Sequence, residues 1–393
     1  MRYSFIILLT FSLFTLSCKT QKLLKTSPTT SKLDTLQLPT PTTTDSLTIR
    51  NIPLTQDSIE ITAHRLIKDT IEITAVGDMM LGTNFPDNSY LPPNQGKHQL
   101  EHIDSLLAGG DILFGNLEGV ILNEGGVHKN CNNPKTCYIF RSPEYMATRI
   151  KEAGFNLMSV ANNHAGDFGT VGRNNTSRIL DSLQINYAGN SNQPFTTFII
   201  DGMKYGFAAF APNVGTPSIN DLDSARATIK HLDSLVDIII VSFHGGAEGK
   251  EYTRVTKQRE YFYKENRGNV HLFAHAMIDA GADVIIGHGP HVPRAIEVYN
   301  NRFIAYSLGN FCTYGRFNLS GNNGLAPIVR IKINSKGEFI EGKLIAAKQM
   351  GAGTPVFDPN GHVIKVIKKL SEEDLPESEI SVDESGNIFY LHQ

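Results

Sequence analysis

The 393-residue chain has no tryptophan, only four cysteines, and little excess of charge of either sign. So few cysteines cannot build a disulfide scaffold at this length, so a hydrophobic core has to hold the fold. Lysine and arginine number 36 against 39 acidic residues, a formal charge of −3. That balance argues against a partner such as nucleic acid, which is held through bulk positive charge. Hydrophobic residues are 40% of the chain and charged residues 19%, which rules out disorder throughout, collagen and coiled coil. Beyond the first residues no run reaches the roughly 18 apolar positions of a membrane span. What is plentiful is glycine, 34 residues, as a scaffold with many tight loops requires.

Met1-Arg2 gives a short positive start, and Ile6 to Leu16 is a mostly apolar run. At about eleven residues it is too short to cross a bilayer but suits the apolar part of an export signal. It ends in Thr15-Leu16-Ser17-Cys18, which resembles the bacterial lipoprotein signal. The resemblance implies lipidation of Cys18 and a membrane-anchored cell-envelope protein, at the outer membrane on its periplasmic or surface face. An ordinary cleaved signal peptide is the alternative. Residues 1–18 are thus read as signal and 19–68 as a Thr-, Ser- and Pro-rich disordered tether, too polar to bury a core. Residues 69–348 are read as the folded domain and 349–393 as a C-terminal extension with a polar tail. Cys131 and Cys137 flank the turn-forming Asn-Asn-Pro-Lys-Thr, which in an oxidising envelope closes into a local disulfide. Two thiolates of a metal site are the other reading, without a second pair to complete them. Cys312 reads as a small buried residue.

From Asp69 the chain alternates short apolar runs with amphipathic stretches. Strand candidates are Ile71–Val76, Ile112–Phe114, Leu157–Val160, Tyr205–Phe210, Ile238–Phe243, Val284–Ile286 and Phe303–Ser307. Helix candidates are Gln99–Leu107, Pro143–Ala153, Val171–Leu183, Leu222–Leu235 and Val270–Ala280. The strands are continuously apolar, as when both faces of a sheet are covered. Ala153-Gly154 and Ala280-Gly281 read as glycine-capped helix ends leading into strands. The fold class is α/β with a sandwiched sheet.

Five strand candidates run directly into small polar clusters: Gly77-Asp78, Asn116-Leu117-Glu118, Asn162-Asn163-His164 with Asp167, His244 with Glu248, and His288 with His291. Ligands of open α/β sheets bind beyond the carboxyl ends of the strands, so these clusters should share one rim. Carboxylate, amide and imidazole together suit a divalent Zn, Mn or Fe ion. Two such ions about 4 Å apart polarise a phosphoryl group and activate a water. Taken singly, each cluster is as well explained by a cap or a turn.

Gly77-Asp-Met-Met-Leu-Gly82, Asn116-Leu-Glu-Gly119, Ala161-Asn-Asn-His-Ala-Gly-Asp-Phe-Gly169, Ser242-Phe-His-Gly-Gly-Ala-Glu248, Gly287-His-Gly-Pro-His-Val292 and Tyr306-Ser-Leu-Gly-Asn-Phe311 occur in that order. Together they resemble the CapA family of poly-gamma-glutamate capsule biosynthesis, over about Ile73 to Ala346. The resemblance implies a calcineurin-like metallophosphoesterase domain, a layered sheet sandwich flanked by helices. It implies Asp78, Glu118, Asn163, His244, His288 and His291 as metal ligands, with His164 protonating the leaving oxygen and Asp167 orienting it. Asn116, Glu248, Arg141, Arg294 and Asn310 are assigned to substrate, the arginines as bidentate anion ligands. Met80 stands where such enzymes carry a ligand histidine, so the site is expected to hold one ion, or two once substrate binds. Two functions follow: a metal-dependent hydrolase of a phosphoester or anionic surface polymer, or a non-catalytic polymer-binding partner of exopolymer synthase subunits.

Overall fold

The computed structural model describes residues 68–131 and 137–391. Cys18, the signal segment and the Thr-rich tether lie outside the described residues.

Two sheets make the core. The first contains β1 (Thr70–Met80), β2 (Ile112–Leu117), β3 (Leu157–Ser159) and β4 (Asn186–Ala188), mutually parallel. The second contains β5 (Phe195–Ile200), β6 (Met203–Phe210), β7 (Ile238–His244), β8 (Val284–His288), β9 (Ile296–Tyr299) and β10 (Arg302–Ala305), ordered β9-β10-β8-β7-β6-β5. The chain then returns to the first sheet. β11 (Asn310–Thr313) pairs with the end of β1, and β12 (Ile328–Asn334) and β13 (Phe339–Ile345) add antiparallel strands.

Alternation along the strands builds the layers. Ile73, Ala75 and Phe114 share one buried cluster with Phe207, Ile240 and Ile286 of the other sheet. Neighbouring Val76 and Leu113 instead join the cluster under α1 (Glu144–Glu152) and α2 (Gly169–Ser182). Ile239, Val241 and Phe243 face α3 (Leu222–Asp233) and α4 (Val270–Ile278). The α/β class and the helix-flanked sandwich are therefore as expected. Gly154 (φ +93°) and Gly281 (φ +116°) end α1 and α4 in backbone that disfavours side chains.

Two expectations are corrected. Gln99–Leu107 is a 3₁₀ turn, Glu101–Ile103, running into one helical turn, Asp104–Leu107. Residues 349–391 are no polar tail beyond the domain. α5 (His362–Asp374) buries Val363, Ile364 and Ile367 in the inter-sheet core, and β14 (Ile380–Val382) and β15 (Asn387–Tyr390) extend the first sheet beyond β13. Cys131 and Cys137 form a disulfide, and Cys312 is a buried thiol. Among the described residues no helix is long and apolar enough to cross a membrane.

Candidate metal centre

Parallel strands end on the same side, and the polar clusters meet there. Asp78, at the end of β1, is fully buried. Its Oδ1 accepts from Asn116 Nδ2 at 2.8 Å and lies 3.2 Å from His288 Nδ1, while its Oδ2 is 2.9 Å from His291 Nδ1. Burial opposes ionisation of Asp78, but the hydrogen bonds and charges of His288 and His291 outweigh it and hold the carboxyl well below the usual range. Glu118 follows β2, with Oε1 3.5 Å from His291 Nε2 and 3.9 Å from His164 Nε2. Burial, and then the charges of Asp78 and Glu248, push its carboxyl well up despite His291. His291 feels burial in the opposite sense, yet Glu118 and Asp78 raise it to about 10. Its backbone is left-handed (φ +59°), a strain of about 1–3 kcal/mol for a non-glycine residue that aims the ring at both carboxylates. Burial and the Arg267 charge hold His244 well below the ordinary imidazole value, so it is neutral at pH 7.

This donor set fits a divalent cation. Ligand atoms of Asp78, Glu118 and His291 lie within 4.8 Å of one another. Both oxygens of Glu118, both ring nitrogens of His244, Nε2 of His288 and Oδ1 of Asn163 are buried without a hydrogen-bond partner among the described residues. Orphaned buried polar atoms are rare because each costs about 1–3 kcal/mol. A divalent ion at this rim would satisfy several of them, taking one nitrogen from each imidazole. His244 and His288 stand at paired positions of β7 and β8, and the His244 and His291 rings are 6.1 Å apart.

Beside the cluster, His164 Nδ1 lies 2.7 Å from Asp167 Oδ2, and Asp167 also accepts from the Phe140 amide at 2.7 Å. Lys129 Nζ sits 2.6 Å from Asp167 Oδ1. Burial lowers the His164 pKa against the Asp167 charge, so the ring rests neutral, with Nε2 turned toward Glu118. Above lies a cleft of about 480 Å³ walled by Tyr138, Phe140, Phe262 and Phe317, with Arg316 and Lys250 at its sides.

Other expected site residues sit elsewhere in the arrangement. Asn116 is wholly buried, held between Asp78 and Asn162 Nδ2 (3.2 Å), so it positions Asp78 instead of touching substrate. Arg294 is also fully buried, with two nitrogens 2.8 Å from the two oxygens of Glu260, and has no fork to offer an anion. Arg141 Nε donates to Asn84 at 2.7 Å and its guanidinium lies over Phe168, away from the cleft walls. Asn310, though buried, lines the cleft as expected, and its Oδ1 lies 3.1 Å from His291 Nδ1, so it also orients that ring. Glu248 does line the cleft, paired with Arg267 at 3.0 Å and accepting from Asn163 Nδ2 at 3.4 Å. Sequence reasoning missed Lys129, Arg267, Arg316 and the aromatic walls, none of which follows an apolar run.

The family described as "Bacterial capsule synthesis protein PGA_cap" matches residues 72–314, more than half of the chain. The chain belongs to that family. It is 28% identical over 257 residues to "Capsule biosynthesis protein CapA" of Bacillus anthracis, covering 60% of this chain and 58% of that one. It is 26% identical to "PGA biosynthesis protein CapA" of Bacillus subtilis, covering 67% and 68%. The chain thus spans under two thirds of the length of the first of these relatives. A solved structure, the NAD nucleotidase NadN of Haemophilus influenzae, superposes with a TM-score of 0.38 at 11% identity, over 78% of this chain and 56% of that one.

Proposed function

We propose that the chain is a metal-dependent hydrolase of capsule-type polymer synthesis, held at the cell envelope, that cleaves a phosphoester or a linkage of an anionic surface polymer. The observation that carries this reading is the convergence of Asp78, Glu118 and His291 ligand atoms within 4.8 Å, beside the His164–Asp167 pair. Asp78, Glu118, His291, His288 and His244 would hold the ion, with Asn163 as the amide ligand. A bound divalent ion supplies Lewis-acid polarisation of the scissile group and lowers the pKa of water. The chain's own residues do the rest. Asp167 takes the Nδ1 proton of His164 as a hydrogen bond, which leaves the Nε2 lone pair free to accept a proton. The same atom, once protonated, returns it to the leaving oxygen. Lys129 pairs with Asp167 Oδ1 at 2.6 Å, and Arg316 and Lys250 favour an anionic substrate in the cleft.

The test is turnover of bis(p-nitrophenyl) phosphate by the full chain with Mn²⁺ or Zn²⁺. His164→Ala should lower kcat by about 10²–10⁴-fold with metal content unchanged. Equal turnover by the variant removes His164 from the chemistry. Metal binding without turnover of any phosphoester or polymer would favour the second reading, a polymer-binding partner of synthase subunits. One observation supports that second reading: the residue at the likeness's first ligand-histidine position is Met80.

A further inference from the structure

A second cluster of ligating side chains lies on the outer side of the second sheet and shares no residue with the rim. His271 and His275 are four residues apart on α4, hence on one face, with ring centroids 4.1 Å apart. Glu297, on the edge strand β9, is 2% exposed, and its two oxygens are 3.2 and 3.0 Å from His275 Nε2. One ligand atom of each of the three lies within 4.8 Å of the others. We propose that His271, His275 and Glu297 form a second divalent transition-metal site, suited to zinc, that clips α4 to β9.

The decisive atom is His271 Nε2, which is buried and has no hydrogen-bond partner among the described residues. A plain histidine–glutamate hydrogen bond accounts for His275 and Glu297 but leaves that nitrogen unexplained. Two imidazoles and a carboxylate with one position left for water make a common zinc ligand set. The supports that metal ligands usually have are present as well. The Tyr306 hydroxyl donates to Glu297 Oε2 at 2.6 Å, and the His275 ring stacks on Tyr299 at 3.7 Å. The nearby charges of Lys257 and Glu377 are paired with each other, so neither sign dominates the approach.

The experiment is equilibrium dialysis of the full chain against Zn²⁺ with elemental quantification, in an Asp78→Asn/His291→Ala background that disables the rim. That background should keep about one zinc per chain, the number a His₂Glu set holds. Adding His271→Ala should weaken it by more than about tenfold, the loss that even outer-shell changes cause. Glu297→Gln should do the same. His271 is only part-buried, so its variant should fold even where the Glu297 one does not. No zinc retained by the background, or zinc retained equally after His271→Ala, overturns the site. Hydrolysis by the chain with an intact rim should be unchanged in His271→Ala, which separates failure of this site from failure of the proposed function.

Discussion

Glu118→Gln gives opposite stability effects depending on whether metal is present. Glu118 is 1% exposed, and neither oxygen has a hydrogen-bond partner among the described residues, so without an ion its charge is a liability. Its carboxyl is raised well above the ordinary 4.5 by burial first and by neighbouring carboxylates next. A carboxyl raised in the folded state contributes stability below 4.5 and loses that contribution as pH climbs through the folded value. Glutamine keeps the shape and cannot ionise, so it escapes the loss. In chelator, variant and parent should therefore unfold alike near pH 4.5, and the variant should be about 1–3 kcal/mol more stable at pH 8. With Mn²⁺ or Zn²⁺ at about 1,000 times its Kd the order inverts, because the parent gains about 4.1 kcal/mol and the variant does not. Urea denaturation at both pH values with and without chelator measures this, in a His271→Ala background so that only the rim responds. A variant less stable than the parent in chelator at pH 8, or equally stabilised by metal, refutes the reasoning.

Asp167→Asn removes the charge that fixes the His164 tautomer and should cut kcat by about 10²-fold or more, with KM little changed, in steady-state assays. Arg294→Ala strands Glu260 as an unpaired buried carboxylate and should cost about 3–5 kcal/mol by urea denaturation, with turnover per folded molecule unaltered. Metal uptake at pH 8 should release about one proton per ion, because His291, raised to about 10 without metal, must give one up; calorimetry in buffers of different ionisation enthalpy counts it. Asp78 has the opposite sign to Glu118. Its depressed pKa contributes stability above its ordinary 3.8 that is lost as pH falls through the folded value, so Asp78→Asn should flatten the acid limb of a stability–pH curve.

Much of the rim was legible because its signal is local. An apolar run that stops at Asp78, Asn116, Asn162, His244 or His288 is a strand end with a polar tip, and parallel pairing carries the tips to one edge. Roles set by distant partners were not legible. Asn116 reads as a substrate ligand until Asp78 and Asn162 are seen to occupy its amide. Arg294 reads as an anion fork until Glu260, 34 residues earlier, is seen to fill it. The cleft walls Tyr138 and Phe317 come from loops with no periodicity to announce them. In the C-terminal segment a signal was present. Val363, Ile364, Ile367 and Leu370 have the helical spacing that α5 uses, whereas β14 and β15 are too short to read as strands without the edge of β13 beside them.

Metal content of the purified full chain in a His271→Ala background, after reconstitution with Mn²⁺ or Zn²⁺, tests the central claim most directly. At least about one equivalent per chain is expected, falling to background in Asp78→Asn. Less than about a tenth of an equivalent in the parent, or undiminished metal after Asp78→Asn, would contradict a metal centre at the rim.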